Sequence, residues 1–425
     1  MIIKFSFQNV LSFSKRQELS LKASAKHERL FDDRANSMDS GKDFKVLRSG
    51  VLYGANASGK SNFVKVFAQF QQFVLTGNQN FDGQEIRVPS FQLADEFANK
   101  PAVFEMECFW GGKLYRYGLR IKRTGIEEEW LYVKESRTTL VFQRSRQEFH
   151  IPAKNTVLME LISKKMVHSK AFLVTIGAHF NDPICAGFLD WLQNLNIISG
   201  FGDRIYKDYT VRRMKESKEF ARKVVDLIKL ADFGIEDLAI QSHKRPKLEL
   251  TTFPQSVMDG DFGAMDGLIS KRMVMDLHGQ PMLKDFQFGV FESEGTQKFT
   301  QIIGPVLDAL EKGNVLIIDE LDTQLHSELI ERLVFLFHNH QINKKNAQLI
   351  FTSNNTNLLS AKVMRRDQIF FIEKDSFGSS HFYSLVNFKK DGKSPRNDED
   401  NEGNYLKGKY GALPFMGDFD NLLQG

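Results

Sequence analysis

Apolar and polar positions alternate from the first residues. In MIIKFSFQNVLSF the apolar side chains are interrupted by Lys4, Ser6, Gln8 and Asn9. IIKFSF therefore reads as a half-buried strand, and LSLKA (19–23) as its partner. Ser24 to Asp43 is a polar connection, and Leu47 to Tyr53 a short apolar strand. From Ser61 to Leu75 the period changes, with Phe63, Val66, Phe67 and Phe70 on one helical face. Val103–Phe109, Leu114–Ile121 and Trp130–Val133 read as an antiparallel meander. Helical spacing dominates from Asn155 to Leu238, most clearly over Arg213–Leu230, and the turn ADFGIEDL follows. Lys244–Gly267 reads as loop and Arg272–Leu277 as strand. A helix is predicted over Thr296–Lys312, a buried strand over Asn314–Ile318 and a helix over Ser327–His338. Gln348–Thr352, Gln368–Glu373 and His381–Asn387 are predicted strands. The tail is charged through KKDGKSPRNDEDNEGN and more apolar in YLKGKYGALPF. There is no tandem repeat and no long heptad array.

Composition narrows the class. The 425 residues suffice for about two or three domains. A hydrophobic share of 42% excludes a disordered chain. The 38 phenylalanines point to core filling and partner surface. The net charge of +4 neither demands nor excludes nucleic acid. Cys108 and Cys185 are isolated, with neither metal spacing nor a disulfide framework, which fits a reducing compartment. The N-terminus lacks the pattern of a signal peptide. No apolar run reaches the roughly 20 residues that span a bilayer. The expectation is a soluble, cytoplasmic protein.

Two stretches then combine into one chemistry. VLYGANASGKSNF holds G-x-x-x-x-G-K-S at Gly54–Ser61, between a predicted strand and a predicted helix. That is the setting of a phosphate (Walker A) loop. Gly54 and Gly59 let the backbone N–H groups turn inward, and Asn56, Ser58 and Asn62 stand in the same run. Lys60 is placed to reach the β- and γ-phosphates of ATP, and Ser61 to bind Mg²⁺. VLIIDE (315–320) is a buried strand ending in two acids. Asp319 is the second candidate ligand for Mg²⁺, and Glu320 the candidate general base for an attacking water.

A third stretch, FESEGTQKF (291–299), stands where a helix begins. Ser293 or Thr296 there reads as an ordinary N-cap. The same Ser-x-Gly, with Ser293 and Gly295, also reads as an anion site at a helix N-terminus.

In order along the chain, NVLSF, YGANASGKSN, FESEGTQKF, VLIIDELDTQLH and QLIFTSNNTNLL resemble the SMC, RecF and OLD-like ABC ATPases. The resemblance is closest to the ATPase group of bacterial abortive-infection and anti-phage defence operons, including the PARIS-system ATPase and RloA-like proteins. It continues through RDQIFFIEKDSFGSSHFYSL and YLKGKYGALPF, and is loosest over Asp182–Pro246. It implies an α/β fold, an ABC-ATPase-type head with an antiparallel β lobe and a helical insertion. The implied division is residues 1–181 (N-terminal part of the head), 182–270 (mainly helical insertion), 271–390 (C-terminal part of the head) and 391–425 (tail, a possible partner contact). It also implies that Ser293 and Gly295 form a signature facing the γ-phosphate held by another subunit. The ATP sites would then be composite, in a homodimer or larger assembly.

The resemblance further implies an ATPase that controls a separate effector, commonly a Toprim-type nuclease, in answer to a phage trigger. Two other functions stay open: a RecF- or SMC-like repair ATPase acting on DNA, and a nucleotide-locked scaffold that barely hydrolyses. The scaffold reading rests on Asn354, which stands where the family carries a γ-phosphate-contacting His. Asn donates a hydrogen bond but carries no charge. His326 stands where many relatives have Asp. It reads equally as a contact to the opposite subunit and as a residue starting a helix. Gln92 is the candidate Q-loop glutamine, against a plain strand-end residue. Lys164, Lys165, Lys170, Arg212, Arg213 and Lys215 fit solvated helix faces better than a nucleic-acid surface. Glu373 and Asp375 fit a strand end better than a metal pair.

Overall fold

The helix after the glycine-rich loop, Lys60–Leu75, buries Phe63, Val64, Val66, Phe67, Phe70 and Val74. Those positions span too wide an arc for a single packing partner. In the computed structural model two sheets share the work. Phe67 meets Phe5 of one sheet at 4.4 Å between ring centroids, and Phe63 meets Phe382 of the other at 5.2 Å. Phe70 packs on Phe104 at 5.8 Å. Burying each such ring contributes about 1.5–3 kcal/mol, so this cluster anchors the loop that precedes the helix. The structure describes residues 1–24, 36–40, 44–77, 85–199, 203–231, 233–241, 267–360, 362–389, 394–396 and 399–413. The predicted loop over Lys244–Gly267 lies almost wholly outside them.

The protein is a mixed α/β chain in two compact units. The first comprises Met1–Ser199, Leu310–Leu321 and Val334–Gly425. It holds a seven-stranded antiparallel sheet in the order Glu148–His150, Thr138–Ser145, Gly125–Lys134, Lys113–Lys122, Ala102–Trp110, Ile2–Gln8, Gln17–Ser20. The meander is present, with two further strands after it. Arg144 and Glu129, opposite each other on neighbouring strands of this sheet, form a fully buried ion pair at 3.5 Å. Glu129 also accepts from Tyr117 Oη and from the Leu173 and Val174 amides, so the carboxylate has the donors that burial demands.

The second sheet of this unit has the order Asn196–Ile198, Val315–Ile318, Gln348–Thr352, Ser49–Gly54, Ile369–Lys374, Ser380–Ser384. Its first five strands are parallel and the last is antiparallel. Gln348 stitches the sheets together. Its side chain accepts from the Ile2 amide at 2.6 Å and donates to the Ile2 and Leu47 carbonyls. The strand Asn196–Ile198 lies in a stretch whose periodicity reads as helical. It is three residues long, too short for any period to register. In the tail, Tyr405 and Tyr410 are buried and stack on Phe371 at 5.1 and 5.6 Å.

The second unit comprises Gly200–Ala309 and Asp322–Leu333. Helices Asp203–Glu216 and Lys218–Leu230 replace the single helix expected over Arg213–Leu230. Ser217 breaks it, taking an extended backbone while its hydroxyl caps the Phe220 amide. A three-stranded antiparallel sheet follows, Asp237–Ile240, Leu268–Met275 and Pro281–Gln287. Its third strand is not foreshadowed by the sequence pattern, because nearly all of its side chains are exposed. The helix Glu294–Lys312 begins in this unit. There Asp308 accepts from Tyr209 Oη and Arg213, and Gly304 leaves room for Thr210.

Candidate functional site

Strand Ser49–Gly54 is buried along its length and delivers the chain to the loop at its carboxyl end. Glycine is required twice there. A Cβ on Gly54 would lie 2.3 Å from the Ile372 carbonyl oxygen. Gly59 has φ +117°, and a Cβ on it would lie 2.4 Å from Ser380 Oγ. The loop closes through Ser58 N–H to Ala55 O at 3.2 Å, and the Phe63 amide starts the helix on Gly59 O. Lys60 is buried, and its ammonium donates to the Gly54 and Ala55 carbonyls at 2.5 and 3.2 Å. Among the described residues, the buried Ser58 hydroxyl has no hydrogen-bond partner. Asn56 is exposed, while Ser61 and Asn62 lie half-buried on the first helical turn. A glycine cradle at a helix N-terminus, with a lysine across it and an orphan hydroxyl in it, has the donors that phosphate oxygens take.

Asp319 follows the strand Val315–Ile318, one strand removed from the loop strand. The strand between them, Gln348–Thr352, ends level with both: Phe351 pairs with Ile318, and Thr352 with Leu52. The loop, Asp319 and Thr352 thus share the carboxyl edge of the parallel sheet, the edge where ligands of open α/β sheets bind. Asp319 is buried, and its Oδ1 accepts from Thr352 Oγ1 at 2.6 Å. The same oxygen of Thr352 accepts from the Glu320 amide at 2.7 Å. Glu320 has φ +51°, a conformation that costs a non-glycine residue of order 1–3 kcal/mol, and its side chain is exposed. Asn354 is exposed just past the end of the intervening strand. Thr352 is a site residue that the sequence pattern does not single out. Its only signal is a hydroxyl closing an apolar strand, two residues before the more conspicuous Asn354.

Ser293 and Gly295 belong to the second unit. Ser293 caps the helix Glu294–Lys312, its Oγ accepting from the Thr296 amide at 3.2 Å and lying 2.9 Å from Thr296 Oγ1. Gly295 makes a close approach, since a Cβ there would lie 2.6 Å from the Gln324 carbonyl. Glu294 accepts from Gln324 Nε2 at 2.6 Å, so its carboxylate is engaged with the loop after the two acids. The buried Glu292 pairs with Arg272 and Ser270. The start of this helix is therefore tied down from three sides, and the Ser293 side chain is itself exposed.

The remaining candidates have local roles. His326 Nδ1 accepts from the Glu328 amide at the start of the helix Ser327–His338. Gln92 is exposed and lies outside any helix or strand, so it is not the strand-end residue of the plain reading. Glu373 accepts from His381 and the Ala412 amide, and Asp375 from the Phe377 and Ser379 amides of its turn. Lys164 pairs with Glu160, Arg213 with Asp308 and Glu216, and Arg212 lies over the Tyr209 ring. Lys165 and Lys215 are exposed, and Lys170 is half-buried.

A glycine loop between strand and helix, with a carboxylate at the tip of a neighbouring parallel strand, is the arrangement of α/β proteins of the nucleotide-binding class. The chain belongs to the family of AAA domains described as putative AbiEii toxin, Type IV TA system, whose model matches residues 51–154 and 182–360, more than half of its length. That family is linked by its description to abortive infection. No curated protein matches the chain. Among the described residues, no helix is long and apolar enough to cross a membrane.

Proposed function

We propose that the protein binds ATP with Mg²⁺ in the Gly54–Ser61 loop and hydrolyses it, as an ABC-type member of its family. The observation that carries this reading is the shared carboxyl edge of Gly54, Thr352 and Asp319, with Lys60 lying across the loop. Lys60 would leave the two carbonyls it now holds for the β- and γ-phosphates. Ser61 and Asp319 would hold Mg²⁺, which neutralises phosphate charge when bound. Glu320, exposed and held at its amide, would take the proton of the attacking water. Asn354 would add a neutral donor where a charged one would speed the reaction, which favours slow turnover and keeps a nucleotide-locked scaffold as the second reading.

In the same proposal, Ser293 and Gly295 face the nucleotide of a second copy, and the nucleotide state holds or releases an effector, a Toprim-type nuclease, in anti-phage defence. The family's link to abortive infection supports the setting. The decisive experiment measures ATP binding and turnover by the purified protein, with and without DNA. Binding with slow, DNA-independent turnover supports the reading. Turnover that requires DNA favours a repair ATPase, and absence of binding ends all three.

A further inference from the structure

The turn between strands Ile2–Gln8 and Gln17–Ser20 is strained and heavily held. Asn9 and Leu11 have φ +53° and +50°. Leucine rarely adopts that conformation, so the surroundings must impose it. Asn9 Nδ2 donates to the Phe97 and Lys100 carbonyls at 3.0 and 2.8 Å, and its Oδ1 accepts from the Phe91 amide. The Leu11 amide donates to Pro89 O at 2.6 Å.

What this turn presents on its other side is Ser12. The Ser12 carbonyl accepts from the Ser380 amide at 2.7 Å. The Ser380 hydroxyl lies 2.9 Å from Ser12 Oγ and donates to the Ser58 carbonyl at 2.6 Å. Next to it, Ser14 and Ser379 join hydroxyls at 2.6 Å. All these residues lie in the first unit, and Ser12, Ser14, Ser58, Ser379 and Ser380 are buried.

We infer that Ser380 is a positioning residue for the phosphate loop, itself held in place by Ser12 of the N-terminal turn. A peptide unit is planar and trans, so fixing the Ser58 carbonyl toward Ser380 fixes the Gly59 N–H in the opposite direction. The space a Gly59 side chain would need is filled by the same hydroxyl. The NVLSF stretch thereby sets the direction of one donor in the loop, although it lies well upstream of it in the chain. This deepens, and rests on, the reading of Gly54–Ser61 as a nucleotide loop.

The test compares wild type, Ser380→Ala, Ser12→Ala and the double variant. It measures affinity for a fluorescent ATP analogue with Mg²⁺, far below each variant's melting temperature, and the melting temperature itself. Losing a donor to a buried carbonyl should weaken binding by about tenfold in Ser380→Ala. Ser12→Ala, which keeps the backbone contact, should lose about threefold, and the double variant no more than Ser380→Ala alone, because the two act in series. If Ser380→Ala does not fold, Ser12→Ala carries the test with the same criterion. A lowered melting temperature with wild-type affinity would make the serines merely structural and overturn the proposal. Wild-type protein that does not bind the analogue would overturn the nucleotide reading along with it.

Discussion

Thr352 Oγ1 donates to Asp319 Oδ1 at 2.6 Å and accepts from the Glu320 amide at 2.7 Å, so one hydroxyl holds both acids at the strand tip. Thr352 is fully buried and Asp319 nearly so. Thr352→Val keeps the shape and removes the hydroxyl. It leaves a buried carboxylate oxygen without its donor, and the strained Glu320 backbone without its anchor. Loss of such an outer partner typically costs 10–100-fold in metal affinity or activity. The expected outcome is turnover reduced by about that factor and a raised Mg²⁺ requirement. Nucleotide binding without metal should be unchanged, and Thr352→Ser should restore both quantities. A Mg²⁺ titration of ATPase activity decides it.

Lys60→Ala should abolish ATP binding, because charge-assisted contacts to phosphate are among the strong ones. Its Nζ also donates to the Gly54 and Ala55 carbonyls, so the substitution removes loop contacts as well as a phosphate contact. A nucleotide titration beside a melting curve separates the two effects. Unchanged affinity would remove the phosphate-loop assignment.

Glu320→Gln should bind ATP normally and turn it over about 10²–10⁴ times more slowly, the usual cost of losing a general base. The side chain is exposed, so the substitution should leave the fold intact. Steady-state hydrolysis at the wild-type rate would place the base elsewhere.

Much of this arrangement was legible because local chemistry and tertiary role coincide. Gly54, Gly59 and Lys60 announce their loop, since a tight turn against Ile372 and Ser380 admits nothing larger at the two glycine positions. The core strands Val315–Ile318 and Gln348–Thr352 announce themselves as apolar runs. Where long-range contacts decide, the pattern is silent. Ser12 and Ser380 are ordinary serines 368 positions apart until the fold joins them. Asn196–Ile198 becomes a strand only because Val315–Ile318 offers it an edge. Ser217 splits a helix whose apolar period runs on through it, because its capping bond competes with helix continuation.

Acid should destabilise the first unit through His338. The imidazole is buried, 2.7 Å from Ser49 Oγ at the start of the loop strand, with Asn36 and Gln368 also around it. Burial first, and the charge of Arg48 second, push its pKa down to about 3. The unfolded chain takes up this proton near the ordinary value of about 6.5, and the folded protein does not. The contribution is therefore fully present above about pH 6.5 and is lost as pH falls toward 3, at up to about 1.4 kcal/mol per unit. His338→Gln removes the titration. Its unfolding free energy, followed by denaturant titration, should fall less steeply than wild type between about pH 6.5 and pH 4. Parallel slopes would mean that His338 is already charged in the folded protein.

Ser293 offers a way to separate a helix cap from a phosphate contact. Its hydroxyl caps the Thr296 amide, and its side chain is exposed. Alanine would damage either role, whereas Ser293→Asp separates them. Aspartate is as good an N-cap as serine, and a negative charge suits a helix N-terminus, so the helix Glu294–Lys312 should keep its stability. The same charge would repel a γ-phosphate held by a second copy. If Ser293 serves only the helix, Ser293→Asp melts, binds ATP and assembles like wild type. If it faces a partner's nucleotide, Ser293→Asp melts and binds ATP like wild type but fails to assemble with ATP in sedimentation. In a symmetric pair, mixing Ser293→Asp with Lys60→Ala should then restore part of the assembly, because one site of each mixed dimer has both an intact loop and an intact serine. Wild-type assembly by Ser293→Asp alone would reduce Ser293 to a helix cap and end the composite-site proposal.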